Sequence, residues 1–295
     1  MSIGISTLGT RTAPWTPAME RTAAMRLAGE EYRRVASAVG ALEKNQWVLA
    51  TDCADWTVRE LVAHIAGMAA MVCTPWESSR QVKAASRMVD ASGGLFIDAL
   101  TGLQVSERSA AGPQELVQQV RRIGPKATRG RRLMPAFLRH RLMQPAQVVG
   151  EVEEWWTLGF LVDTILTRDP WMHRIDLARA TSTDLQLTPG HDGAIVDDVV
   201  REWAARHGQP YRLTLTGPAG GSWSRTGSGK GNGNAGGVPA GNSNVHATPP
   251  NQVLDTVDLN VHPIPPNLVL DAVDFCRILS GRAEGEELLR VKVPF

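Results

Sequence analysis

The stretch Thr57-Val-Arg-Glu-Leu-Val-Ala-His-Ile-Ala-Gly-Met-Ala-Ala-Met-Val72 decides how the first half of the chain reads. It opens on a capping box, a threonine followed three residues later by glutamate, whose side chains satisfy the first free N–H groups of a helix. The apolar run Leu61–Val72 follows at once, and Pro75 lies just past its end. This predicts a buried helix with one histidine, His64, on an otherwise apolar face of Leu61, Ile65 and Met68. The run falls short of the roughly 18–20 residues that a membrane span needs.

On its N-terminal side, Met25, Leu27, Tyr32, Val35, Val39 and Leu42 recur at helical spacing and predict an amphipathic helix over 19–42. On its C-terminal side a short helix is expected from about Pro113 to Arg122. From Glu151 to Ala180 the pattern is again helical and rich in tryptophan, with Pro170 predicting a kink or two abutting helices. No alternating strand pattern precedes residue 185, so this half reads as an all-α bundle. Beyond it, His191–His207 is helical and Tyr211–Thr216 alternates like a half-buried strand. Residues 217–244 hold ten glycines among Ser and Asn. Leu268–Leu279 reads as a helix closed by Gly281, and Leu288–Pro294 as a strand. The expected organisation is a loose leader (1–18), a helical bundle (19–185) and a small α/β or α+β domain (186–295) with a flexible Gly-rich insertion at about 217–250. Val245–Asn260 recurs as Val261–Cys276 with ten of sixteen positions identical. The second copy runs directly into the terminal elements and is expected to be the packed one.

The 295 residues, 43% hydrophobic and 21% charged, suffice for one or two cored domains and exclude a disordered or fibrous chain. A net charge of +1 provides no global field for nucleic acid or an anionic membrane. Three cysteines, none in a CxxC, cannot make a disulfide framework, and the opening residues lack a secretory h-region. The expectation is a soluble cytoplasmic protein, monomer or homodimer, with small-molecule partners.

In Arg168-Asp-Pro-Trp-Met-His-Arg-Ile-Asp176, Asp169 and His173 stand four apart. On a continuous helix they share a face and, with His64, supply the two histidines and one carboxylate of a metal site with an open position. The competing readings are a buried histidine bonded to a carbonyl for His64 and, for Asp169, an N-cap with proline at the first helical position. Asp176 can orient His173 or pair with Arg179. From Leu116 to Gly150 there are eight basic residues and no acidic one, a collecting rim for an anionic substrate or simply a solvated surface. The tryptophans at 56, 155, 156 and 171 read as core rather than as a stacking platform.

Trp56–Gly67 and Arg168–Ala180 resemble the two signature segments of the mycothiol-dependent maleylpyruvate isomerase family, and Asp271–Arg282 with Val293-Pro-Phe295 resembles that family's C-terminal domain. The resemblance implies a DinB-like four-helix bundle holding a divalent metal, usually zinc, on a histidine of the first segment and a carboxylate-x3-histidine pair of the second. These fall on His64, Asp169 and His173; the founding enzyme's carboxylate is glutamate, and Pro170 and Ser182 also depart from the common pattern. It implies mycothiol as cosubstrate, a metal-bound thiolate as nucleophile, and a small electrophile that is isomerised cis–trans or S-alkylated. An arginine of the C-terminal domain reaches the site in that family, and Arg282 matches it for substrate binding; otherwise Arg282 is a surface residue beside a C-cap. The chain's own cysteines are poorly placed to replace the thiol. The rival functions are a non-catalytic small-molecule-binding protein that keeps the metal bundle, and a metal-dependent hydrolase.

Overall fold

Residues 9–226 and 266–295 are described by the computed structural model. The stretch that begins at Thr57 forms helix α2 (Val58–Met71), and its capping box is made: the Thr57 hydroxyl and N–H both donate to Glu60, the latter at 3.0 Å. Helix α1 (Arg21–Gly40) turns Ala24, Leu27, Ala28, Tyr32, Val35 and Val39 inward, as its spacing predicts. α3 (Pro75–Ser92) and α4 (Phe96–Ser106) pack on each other and α4 on α2. α5 (Pro113–Leu133) runs eleven residues beyond the expected end at Arg122, straight through Pro125. Its inward stripe of Leu116, Val120, Gly124 and Ala127 continues across the proline, and packing against α1 and α2 outweighs one missing hydrogen bond. It approaches closely enough that a side-chain carbon at Gly130 would come within 2.0 Å of the Val72 carbonyl.

The first half is not all-α. β1 (Gly9–Trp15), within the stretch expected as a loose leader, pairs in parallel with β3 (Val152–Trp156), which pairs antiparallel with β2 (Gln147–Val149). The short helix α6 (Ala136–Arg139) precedes β2 in the chain. β3 lies where the spacing predicted helix, and its alternation is disguised. The inward position carries Glu154, wholly buried and held by two 2.8 Å bonds from Arg206 and by the indole N–H groups of Trp15 and Trp156. A buried carboxylate reads as polar until its partner, 52 residues away, is in place.

A short helix α7 (Leu158–Phe160) and a π-helical turn (Leu161–Ile165) lead into α8 (Leu166–Thr181). Pro170 divides nothing, because α8 is one continuous helix. The proline has no N–H for the Leu166 carbonyl, and the buried Arg131 of α5 supplies the donor at 2.8 Å while also reaching the Thr167 hydroxyl at 2.6 Å. Asp169 therefore lies inside the helix and caps nothing. α8 ends at Ser182, whose φ of 53° is the left-handed conformation that glycine adopts without strain. α1, α2, α5 and α8 pack together, α1 and α2 each touching both α5 and α8.

A π-helical turn (Pro189–Gly193) opens α9 (Ala194–His207), followed by β4 (Tyr211–Thr216), whose alternation holds residue by residue. β4 pairs antiparallel with β5 (Gly221–Arg225) and in parallel with β6 (Asn267–Asp271). The expected flexible insertion thus starts later than residue 217, and the stretch 227–250 lies outside the described residues. The helix expected over 268–279 divides at Asp271, whose carboxylate accepts from the N–H groups of Val273 and Asp274, ending β6 and capping α10 (Ala272–Leu279). The strand expected over 288–294 is a 3-10 turn (Glu287–Arg290) and an extended tail. The Val293 N–H donates to the Leu279 carbonyl at the end of α10 and enters no ladder. Trp171, Trp203, Phe275 and Cys276 form a shared core under α8, α9, β4 and α10.

Residues 267–276 of the second repeat copy are packed in β6 and α10; the first copy lies outside the described residues. The chemistry of the two copies explains why the second suits this place. Phe275 and Cys276 are fully buried, and the first copy carries Leu259 and Asn260 at those positions. Placing the corresponding residue there, Cys276→Asn, is expected to cost about 2 kcal/mol more than Cys276→Ala, because a buried amide would lack partners. Urea unfolding of the two variants measures the difference.

Candidate metal centre

α2 and α8 lie against each other and bring His64, Asp169 and His173 together. Asp169 Oδ1 stands 3.4 Å from His64 Nε2 and 3.4 Å from His173 Nε2. That is long for a hydrogen bond, but it matches the spacing of about 3.3 Å between donors bound at about 2.0–2.1 Å in a tetrahedral zinc site. All three residues are at most 9% exposed, and among the described residues neither His64 Nδ1 nor Asp169 Oδ2 has a hydrogen-bond partner. Burial disfavours the charged carboxylate, yet the two imidazoles overturn this and hold Asp169 well below the usual carboxylate range. Burial likewise opposes charge on His173, and the Asp169 carboxylate raises it well above the ordinary histidine value. His64 Nε2, His173 Nε2 and Asp169 Oδ1 converge closely enough to fit one divalent ion, and the second Asp169 oxygen is left unsatisfied among the described residues.

The surroundings fix the ligand orientation. Asp176, one turn on from His173, accepts from His173 Nδ1 at 3.0 Å, which leaves Nε2 turned toward Asp169. Arg179 goes to Asp52 instead, at 3.1 Å. Arg282, just beyond the helix-ending Gly281 (φ 86°), donates Nε and Nη2 to the two oxygens of Asp176, each at 2.7 Å. A residue near the end of the chain thereby holds the carboxylate that holds a histidine of the cluster. Burial opposes the charge on Asp176, but His173 and Arg282 lower it to about 2. Trp56 covers the group, its ring centroid 5.0 Å from that of His64 and 6.4 Å from that of His173.

Three residues have surroundings that spacing along the chain does not reveal. Cys53 comes within 3.7 Å of His173 Nδ1, 3.5 Å of Asp176 Oδ2 and 3.7 Å of Arg282 Nη2. It sits in a loop ahead of Trp56, where spacing carries no information about what it faces. Arg131, one of the eight basic residues expected at the surface, is fully buried and braces α8 through Leu166 and Thr167. Arg139, another of them, is bonded to the buried Asp163. Of the tryptophans, Trp171 is core as expected, with its indole N–H on Asp192, and Trp156 is core too, in a separate cluster with Trp15, Phe160 and Ile165 beside β3. No helix among the described residues is long and apolar enough to cross a membrane.

Residues 28–178 match the family model of the mycothiol maleylpyruvate isomerase N-terminal domain, a span that contains His64, Asp169 and His173. No curated protein matches the sequence. Among solved structures, a crystal structure of the mycothiol-dependent maleylpyruvate isomerase and one of its histidine-to-alanine mutant are similar. Each is 15% identical over 67% of this chain and 76% of that chain, with TM-scores of 0.45 and 0.44. The matched span takes in just over half of the 295 residues, and the chain belongs to the mycothiol maleylpyruvate isomerase family of enzymes.

Proposed function

We propose that the chain is a metal- and mycothiol-dependent enzyme that isomerises a small electrophile or transfers the thiol to it. His64, Asp169 and His173 hold a divalent ion, best zinc, within a DinB-like four-helix bundle of α1, α2, α5 and α8. The observation that carries this reading is the convergence of His64 Nε2, His173 Nε2 and Asp169 Oδ1, with the second Asp169 oxygen lacking a hydrogen bond among the described residues. With a metal bound, the site would supply an open coordination position that lowers a thiol's pKa from about 8.5, so that the sulfur is nucleophilic at neutral pH.

The chain's own groups do the rest. Asp176 fixes the tautomer and tilt of His173. Arg282 spends Nε and Nη2 on Asp176 and keeps Nη1 without a hydrogen bond among the described residues, available for an anionic group of the substrate. Trp56 walls the two imidazoles from water. The division into a leader (1–18), a metal-binding unit (19–185) and a C-terminal unit (186–295) belongs to the same proposal, with Arg282 crossing from the last unit to the second.

Incubation with mycothiol and a panel of electrophiles, read by mass spectrometry, tests the reaction. Thiol-dependent consumption of an electrophile is expected. Turnover without thiol would indicate the hydrolase, and binding without turnover the non-catalytic binding protein. Asp176→Asn is further expected to weaken zinc affinity by about 10–100-fold, since a neutral amide no longer orients His173. Competition with a chelating dye measures it; unchanged affinity would show that Asp176 does not act through the histidine.

A further inference from the structure

A cavity of about 810 Å³ runs along one face of α1, between the C-terminal end of α5 and the turn Thr188–His191 that opens α9. It shares no lining residue with the cluster around His173. Its wall carries four arginines, Arg21, Arg26, Arg34 and Arg132, against one carboxylate, Glu30. Two of the four are spent on the fold. Arg21 donates to the carbonyls of Arg132 and Met134 at 2.6 and 2.9 Å, closing the end of α5. Arg34 is divided among Glu30, Asp192 and the Thr188 hydroxyl at 2.7, 2.9 and 3.0 Å, and Glu30 is bound again by Arg33. Arg26 and Arg132 are exposed, and neither guanidinium has a partner among the described residues.

The third wall is the start of a helix. Pro189 opens the turn that runs into α9, so the N–H groups of Gly190 and His191 fall in the first turn, where a helix offers no acceptor and its dipole favours an anion. His191 is 4% exposed. Its Nε2 donates to Glu31 at 2.7 Å, and its Nδ1 has no hydrogen bond among the described residues. The carboxylates behind it, Glu31 and Asp192, are already matched by Arg174 and Arg34.

We propose that this cavity is a second ligand site, which binds the phosphate group of a small phosphomonoester between Arg26, Arg132 and the first turn of α9. A tetrahedral group with three free oxygens takes donors from three directions, and three walls here offer them; a planar carboxylate uses two. The volume lies in the range of about 300–1,000 Å³ usual for small-molecule sites and exceeds what a bare phosphate fills, leaving room beside Met25 and Gly29 for the rest of the molecule.

Isothermal titration of the metal-loaded full chain with inorganic phosphate and with glycerol phosphate tests this. Saturable binding of both is expected, tighter for the ester. Arg26→Gln and Arg132→Gln should each weaken it by about tenfold, the loss of one charge-assisted contact. Neither residue has a partner to lose among the described residues, so the melting temperature should stay put. Arg122→Gln removes the same charge from an exposed position of α5 outside the cavity and should leave both affinities unchanged. No saturable binding, tighter binding of the free ion, wild-type affinity in both cavity variants, or an equal loss in Arg122→Gln would each overturn the proposal.

Discussion

His173→Ala is expected to leave the protein folded but without its divalent ion, and to reduce thiol-dependent turnover to background. The wild-type chain should carry about one zinc, the stoichiometry of a site with three protein donors. Removing Nε2 leaves only His64 and Asp169, so the loss in affinity should exceed the roughly 10–100-fold that follows from losing a mere partner of a ligand. His64→Ala should behave alike, since its Nε2 faces the same Asp169 oxygen at the same 3.4 Å. Asp169→Asn gives the sharper comparison. Because Asp169 sits within α8 and caps no helix, the amide should not cost stability through a lost cap, while as a much poorer ligand it should empty the site. Elemental analysis after dialysis, alongside thermal melts, reads both quantities. Equal metal in all four proteins would refute the assignment.

Arg168→Met should be the most destabilising single substitution considered, costing about 3–5 kcal/mol. The Arg168 guanidinium is 1% exposed, donates to Asp198 Oδ2 at 2.6 and 3.1 Å, and reaches Glu202 at 2.6 Å. Burial works against its charge, but Asp198 and Glu202 more than compensate and raise it above the usual arginine value. Methionine would fill the volume and strand Asp198, which has no other cationic partner among the described residues, whereas Glu202 keeps Arg206 at 2.6 Å. Pairing the change with Asp198→Asn should therefore recover a large part of the loss. Equilibrium urea unfolding of the single and double variants checks this, and a single variant as stable as wild type would show that the pair is not held in the folded state. The pair also joins α8, the helix of Asp169 and His173, to α9, so the single variant should loosen metal binding as well.

The family could be read from two segments because both are local. The capping box at Thr57 and the apolar face around His64 are satisfied within α2, and the Asp169–His173 spacing is a helix-surface neighbour relation. Tyr211–Thr216 was equally plain, each inward residue being apolar. These features needed nothing from elsewhere in the chain. What failed to show were elements whose polar inward groups depend on distant partners. β3 hid behind Glu154 until Arg206 arrived, and α8 could run unbroken through Pro170 only because Arg131, from α5, serves the orphaned carbonyl of Leu166. The neighbours of His173 followed the same rule: Cys53 and Arg282 lie 120 and 109 residues away from it in the chain, and only packing brings them beside its Nδ1. Sequence by itself determined the helices and strands whose faces are apolar and whose caps are their own. Tertiary structure alone decided where charge is buried, because a buried charge is tolerable only once its counter-charge or hydrogen-bond partner is in place, and no local pattern records that partner.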